Sequence, residues 1–465
     1  MFHQIKTSQF SLNKTYQIIF CFFIFFTTIF NASNSFLLIK INFVILLFFF
    51  IFLILDKKYK KNFIYSIKSN KKIFILFVVF ILYLIFQIIP LPNYFLNLIS
   101  ENSYNFYYGI NLKKYNPVTL NVYFSIHEII SYLNIFFIVV LTNLIFYKKK
   151  HTNRYFIYFS IIGFFHAFFA VFWLLIGNPE FLLKETMYYS NSATGFFINR
   201  TNFAFFLVLT FLISLNYLFF NYKKIIPTEN NFNVIYVRIF ILFISIGIIS
   251  TFSRLGNLYL LFSILFYFIL TFKNQKNFLN QFSLFFIVLI LFDILVMGLY
   301  FGGNELISRF DFFNYELLSN IENKNSISGQ IETTNNLSRI NLILLSLNFF
   351  KSFPYFGYGA GSFEPAFFLL FENIQNVYAN HAHSDFVELL GEIGIFGFLI
   401  FLLIFVNIII KGVHTFKNKN NNSYVLLIPL LILFLFNGFF DFSLNIPSNQ
   451  FLFASLVSFS LKKYL

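Results

Sequence analysis

Runs such as INFVILLFFFIFLIL (residues 41–55) return from one end of the chain to the other, and they dictate the fold class. In hydrocarbon every backbone N–H and C=O must be bonded internally, so apolar segments of this length cross as α-helices. The runs do not alternate apolar and polar residues, which excludes a β-barrel. Spans are expected near 16–32, 36–55, 73–89, 129–147, 155–176, 201–220, 238–252, 257–272, 281–301, 394–410, 424–440 and 450–461. The chain therefore reads as an all-α polytopic membrane protein of about twelve helices. A second apolar run follows the first at once, so the first reads as an uncleaved span rather than a signal peptide. Three parts form one integrated membrane domain: helices in 1–301, a large extramembrane loop over 302–393, and helices in 394–465. Within the loop, 336–352 reads as an interfacial helix, 353–364 as a turn-rich break and 365–378 as a second short helix.

The formal charge of +15 raises the question of nucleic acid, but its distribution answers otherwise. With the N-terminus inside, 23 of the 33 Lys and Arg fall in cytoplasmic segments and nine fall outside, while Lys40 snorkels from the end of the second span. That asymmetry is the positive-inside pattern. It places both termini in the cytoplasm and the large loop on the opposite face, and it leaves no case for a nucleic-acid partner. Cys21 is the only cysteine, which excludes an internal disulfide and any cysteine-ligated metal. The 80 phenylalanines, with abundant Ile, Lys and Asn, fit an AT-rich coding bias and are read as nothing more.

Against this topology the outward arginines stand out. Arg254 in STFSRLGN, Arg339 at the head of the interfacial helix and Arg200 in INRTNFA each lie where a permanent cation is costly to desolvate. A guanidinium fork suits phosphate. One arginine alone reads as readily as a snorkelling side chain; three on one face point to an anion site. The segment HAHSDFVELLGEIGIFG (381–397) adds ionisable groups at the mouth of a membrane helix. On a helix, Asp385, Glu388 and Glu392 fall within about 60° of one another. That face must meet a polar cavity or cations, with Arg254 and Arg339 as candidates. His383 suits a general base oriented by a neighbouring acid, and it suits equally a capping role. His381 and His383 lack an identifiable third ligand, so no metal is expected. GYGAG (357–361) lacks the Lys and Ser/Thr of a phosphate loop and reads as a turn. Gly391, Gly394 and Gly397 permit close helix approach. Asp293, in the ninth span, reads as a packing partner for an arginine or as part of a proton path.

The segment His383, Ser384, nine residues, Gly394, Ile395, Phe396, Gly397 resembles the histidine motif of the O-antigen ligase and polymerase superfamily. PLPNYF, NPVTL, INRTNFA, STFSRLG, FPYFGYGAGSF and FDFSLNIPSNQFLFA resemble further family segments in order, from about residue 73 onward. The resemblance implies a GT-C-like membrane enzyme of the bacterial inner membrane with its active site on the periplasmic side. Its donor would be a glycan on undecaprenyl diphosphate, its acceptor a hydroxyl of lipid A–core or a similar lipid or glycan. The transfer would invert the anomeric centre without cofactor or metal. Arg254, Arg339 and His383 would fall on the catalytic positions: the arginines holding the diphosphate, the histidine orienting or deprotonating the acceptor. Arg200, Asn202, His381, Asp385 and Glu388 are expected to contact substrate. A polymerase of lipid-linked repeat units and a protein O-oligosaccharyltransferase share these motifs. A lipid-linked glycan flippase, the rival of another class, would spread charge along a central cavity instead.

Overall fold

The computed structural model describes residues 2–110, 113–148, 151–179, 189, 191–221, 230–274, 284–285, 287–289, 291, 339–370, 379–417 and 424–461. Asp293, most of the span expected at 281–301, and residues 302–338 of the large loop lie outside the described residues. The chain opens with α1 (Phe2–Ile29), α2 (Phe36–Leu55), α3 (Lys57–Ser69), α4 (Lys71–Ile88), α5 (Asn93–Ile99) and α6 (Glu101–Ile110). It continues through α7 (Val122–Ile145), α8 (Thr152–Leu175), α9 (Arg200–Asn221), α10 (Asn230–Ile249) and α11 (Arg254–Asn274). The second half holds α12 (Arg339–Ser352), α13 (Phe363–Leu370), α14 (Asp385–Lys417), α15 (Tyr424–Phe440) and α16 (Pro447–Ser460).

Among the described residues, eight helices are long and apolar enough to cross a membrane: α1, α2, α4, α7, α8, α9, α11 and α14. Helices α10 and α15 are shorter apolar helices. The expected spans thus fall on helices wherever the chain is described. Two corrections apply. Helix α7 begins at Val122 rather than near 129, because Asn121 caps it by accepting from the N–H groups of Tyr123 (3.0 Å) and Phe124 (3.3 Å). Helix α3 was not expected: its lysines hide an amphipathic period in which Tyr59 is buried.

Helix α9 is apolar all round and buried on nearly every side, which makes it the centre of the N-terminal bundle. Lipid gives helices no hydrophobic reason to associate, so small residues set the contacts. A Cβ on Gly163 of α8 would lie 2.3 Å from the Thr210 hydroxyl of α9, and one on Gly256 of α11 would lie 2.5 Å from Ala204 of α9. Buried polar rungs add specificity: Ser214 donates to Ser160 at 2.8 Å and Tyr267 to Asn216 at 3.0 Å.

PLPNYF and NPVTL meet in one antiparallel pair, β1 (Leu91–Pro92) with β2 (Tyr115–Asn116). Beyond it, α14 is broken at Gly394 (φ 63°, ψ −176°), a conformation open in practice only to glycine. The glycine turn enters this break backbone to backbone. Tyr358 N donates to Gly391 O (3.1 Å), Gly359 N to Glu392 O (3.0 Å), Ile395 N to Pro354 O (2.9 Å) and Phe396 N to Tyr355 O (3.3 Å). Helix α4 closes the joint. The Tyr83 hydroxyl donates to Ile393 O at 2.5 Å, and the Gln87 amide donates to Phe356 O (2.7 Å) and Glu392 O (3.0 Å) while accepting from Ala360 N (3.2 Å). Groups freed by a broken helix are costly in a membrane unless re-bonded, and here they are. Gly391 and Gly394 therefore admit this turn rather than a neighbouring membrane helix; Gly397 does face one, at Tyr83 of α4.

Candidate active site

The break fixes the first two turns of α14 at the membrane face where α2, α7, α9, α11 and α16 also begin. There a cleft of about 350 Å³ opens between α2, α7, α13 and α14. Five carboxylates line it: Glu128 of α7, Glu364 of α13, and Asp385, Glu388 and Glu392 of α14. The three acids expected on one helical face do share it. His381 and Asn445 also line the cleft, and its described lining contains no lysine or arginine.

The acidic face meets a polar cleft, one of the two surroundings expected for it, and each acid is bonded there. Glu388 takes His381: Nδ1 lies 2.9 Å from Oε1, while Oε2 accepts from Ala382 N at 2.7 Å and Asn445 Nδ2 donates to Oε1 at 3.0 Å. Asp385 Oδ2 accepts from Asn437 (3.0 Å) and Leu444 N (3.3 Å). Glu392 Oε1 accepts from Phe363 N at 3.1 Å, capping the start of α13. Glu388 thus orients His381.

His383 sits at the corner leading into α14 with φ 55°, unusual for a residue with a Cβ. Its ring meets the edge of Phe442 at 4.9 Å, whereas His381 stacks on the same Phe442 ring at 4.6 Å. His383 is not among the described residues lining the cleft. Ser384 donates to Gly438 O at 2.9 Å, and Asp385 N to Asp441 O at 3.1 Å. Residues 437–445 therefore wrap the histidine motif as a strap.

The strap also reaches α9. Ser443 donates to Asn202 Oδ1 at 2.9 Å and to Asp441 Oδ2, and Asn449 donates to Asn202 O at 3.1 Å. Asn202, expected to contact substrate, is buried and binds the strap. Arg200 opens α9 with its guanidinium 5.0 Å from the Tyr189 ring centroid. Arg254 opens α11 and is exposed. The Gly256–Ala204 contact sets these two first turns side by side, so both arginines stand at adjoining positive helix ends. Arg339 is the first residue of α12; its side chain lies outside the described ones.

Burial works against a charged His381, but the Glu388 charge and hydrogen bond outweigh it, so its pKa rises above the ordinary imidazole value. No group of three or more His, Cys, Asp or Glu among the described residues is arranged to hold a metal ion. Sequence reasoning missed Glu128. A lone carboxylate inside an apolar helix was the signal available to find it. It also missed Asn445 and Phe442, which act on the histidines from more than fifty residues away.

Residues 239–402 match the family model described as O-antigen ligase. The match runs from α10 through the glycine turn and the histidine motif into α14, and it includes Arg254, Arg339 and His383. No curated protein matches the chain. The family match supports the O-antigen ligase superfamily and a multi-pass membrane enzyme of the ligase or polymerase type.

Proposed function

We propose that the protein is an O-antigen ligase-like glycosyltransferase that moves a glycan from undecaprenyl diphosphate to an acceptor hydroxyl of lipid A–core or a similar molecule. The observation that carries this reading is the division of charge at one membrane face. Arginines at the starts of α9 and α11 offer donors to a diphosphate, and a carboxylate-lined cleft beside the histidine motif offers acceptors to sugar hydroxyls. Arg254, with Arg339, holds the diphosphate and stabilises the charge that develops on the leaving group. His383 lies at the acceptor side and orients the incoming sugar. The acceptor oxygen displaces the diphosphate at the anomeric carbon with inversion, in one step and without a metal. By the family's usual orientation the site faces the periplasm and both termini the cytoplasm.

Polymerisation is the second reading. It requires a second diphosphate beside the first. Five carboxylates and no lysine or arginine in the described cleft lining disfavour a diphosphate there, which leaves Arg200 as the seat for such a group. A flippase fits less well, since the carboxylates gather in one cleft rather than along a path between the two faces. The deciding experiment incubates purified protein with lipid-linked repeat units, with and without lipid A–core. Ligase action needs the added acceptor and yields product free of the polyprenyl carrier. Longer polyprenyl-linked chains from repeat units alone would replace the ligase reading with the polymerase one.

A further inference from the structure

We infer that His381, held by Glu388, takes the proton of the attacking acceptor hydroxyl, while His383 serves orientation; this rests on the transferase reading above. Glu388 acts as an acceptor in each bond it makes, from Ala382 N, from Asn445 Nδ2 and from His381. A carboxylate can only accept, so its partner nitrogen, Nδ1, carries the imidazole proton and Nε2 bears the lone pair; Asn445 Nδ2, 3.5 Å from Nδ1, gives its N–H to Glu388 Oε1 at 3.0 Å. Among the described residues Nε2 has no hydrogen-bond partner, and the His381 side chain is 21% exposed in the lining of the cleft. Phe442 stacks against the ring and fixes its plane. A carboxylate on one nitrogen, an open lone pair on the other and an aromatic wall are what a positioned general base needs.

The step balances. The acceptor O–H proton passes to His381 Nε2 as the oxygen bonds to the anomeric carbon. The bond from that carbon to the diphosphate oxygen breaks, and its electron pair leaves on undecaprenyl diphosphate. The resulting imidazolium is stabilised by Glu388 as a positioning residue. Groups around it on other elements are Glu128 and Tyr132 of α7, Glu364 of α13, and Asp385 and Glu392 of α14, with Asp441 in the neighbouring strap. The carboxylates Glu364 and Glu128 also favour the imidazolium. A base must be neutral to act, so transfer should rise with pH through the raised His381 titration.

The test measures kcat and donor KM against pH for wild type, His381→Ala, His381→Gln and Glu388→Gln in lipid nanodiscs, with lipid-linked repeat units and acceptor. Both His381 variants should lose about a hundredfold or more in kcat with donor KM near wild type. Glu388→Gln should lower kcat and move the ascending limb to lower pH, because the attraction that raises the imidazole pKa is gone. Glu388→Gln is nearly isosteric and keeps an acceptor oxygen, which guards against simple misfolding. If wild type transfers glycan while His381→Gln keeps its kcat, or while Glu388→Gln leaves the ascending limb in place, the assignment of the base is wrong. A wild-type protein that transfers nothing under any pH would overturn the transferase reading itself, and the base with it.

Discussion

Replacing Gly394 by alanine strikes the joint on which the cleft is built. The residue sits at φ 63° and ψ −176°, a region that costs a residue with a Cβ about 1–3 kcal/mol. The added Cβ would lie 2.4 Å from Tyr355 O and 2.5 Å from Gly357 N. Those are backbone atoms of the inserted turn and cannot rotate away. Relieving the overlap costs about another 1–3 kcal/mol, so the loss should total about 2–6 kcal/mol. Retreat of the turn would also threaten four backbone hydrogen bonds and the Gln87 clamp. Denaturant unfolding in micelles measures the stability, and glycan transfer measures the site. Gly109→Ala is the control, because a Cβ there meets nothing within 4 Å and Gly109 lies in helix α6; it should be neutral or slightly stabilising. If Gly394→Ala unfolded within about 0.5 kcal/mol of wild type, the account of the helix break would be refuted.

Other consequences are open to direct test. Single cysteines at Asn323 and Asn420, in a Cys21→Ser background, should label at Asn323 and not at Asn420 when intact cells meet an impermeant thiol reagent; the reverse pattern would invert the topology. Arg254→Ala should abolish transfer at wild-type membrane levels, and Arg254→Lys should recover only part of it, since it restores charge without the bidentate fork; full activity in the alanine variant removes Arg254 from the clamp. Exhaustive chelation should leave transfer unchanged, whereas a loss restored by Mg²⁺, Mn²⁺ or Zn²⁺ would make the His381–His383 pair a candidate ligand set.

Spans were legible because hydrocarbon leaves a chain few options. The runs at 36–55 and 424–440 mark helices with nearly those bounds. Helix α3 was not legible, because Lys57, Lys58, Lys60 and Lys61 lower the hydropathy of a segment that buries a single aromatic face. The start of α7 was missed for a related reason: the polar His127 and Glu128 fell outside the span placed from 129, although they stand inside a capped helix. At the site, helical spacing was enough to align Asp385, Glu388 and Glu392. That Glu388 turns to His381 was not readable from HxH alone. Both precede the helix, and the choice depends on Phe442 and Asn445 folding back from the end of the chain. The glycine signals were visible, but not that two of them, at 357 and 394, are mutual clearances between a turn and a broken helix.

The division of labour at the membrane face is tested most directly by the binding of undecaprenyl diphosphate, the leaving group itself, to purified variants in nanodiscs. Arg254→Ala should weaken binding sharply, while Glu388→Gln and Glu128→Gln should bind as wild type or more tightly, because removing a negative charge near a diphosphate reduces repulsion. Undiminished binding by Arg254→Ala, together with loss of binding in the two carboxylate variants, would place the diphosphate in the acidic cleft and contradict the account.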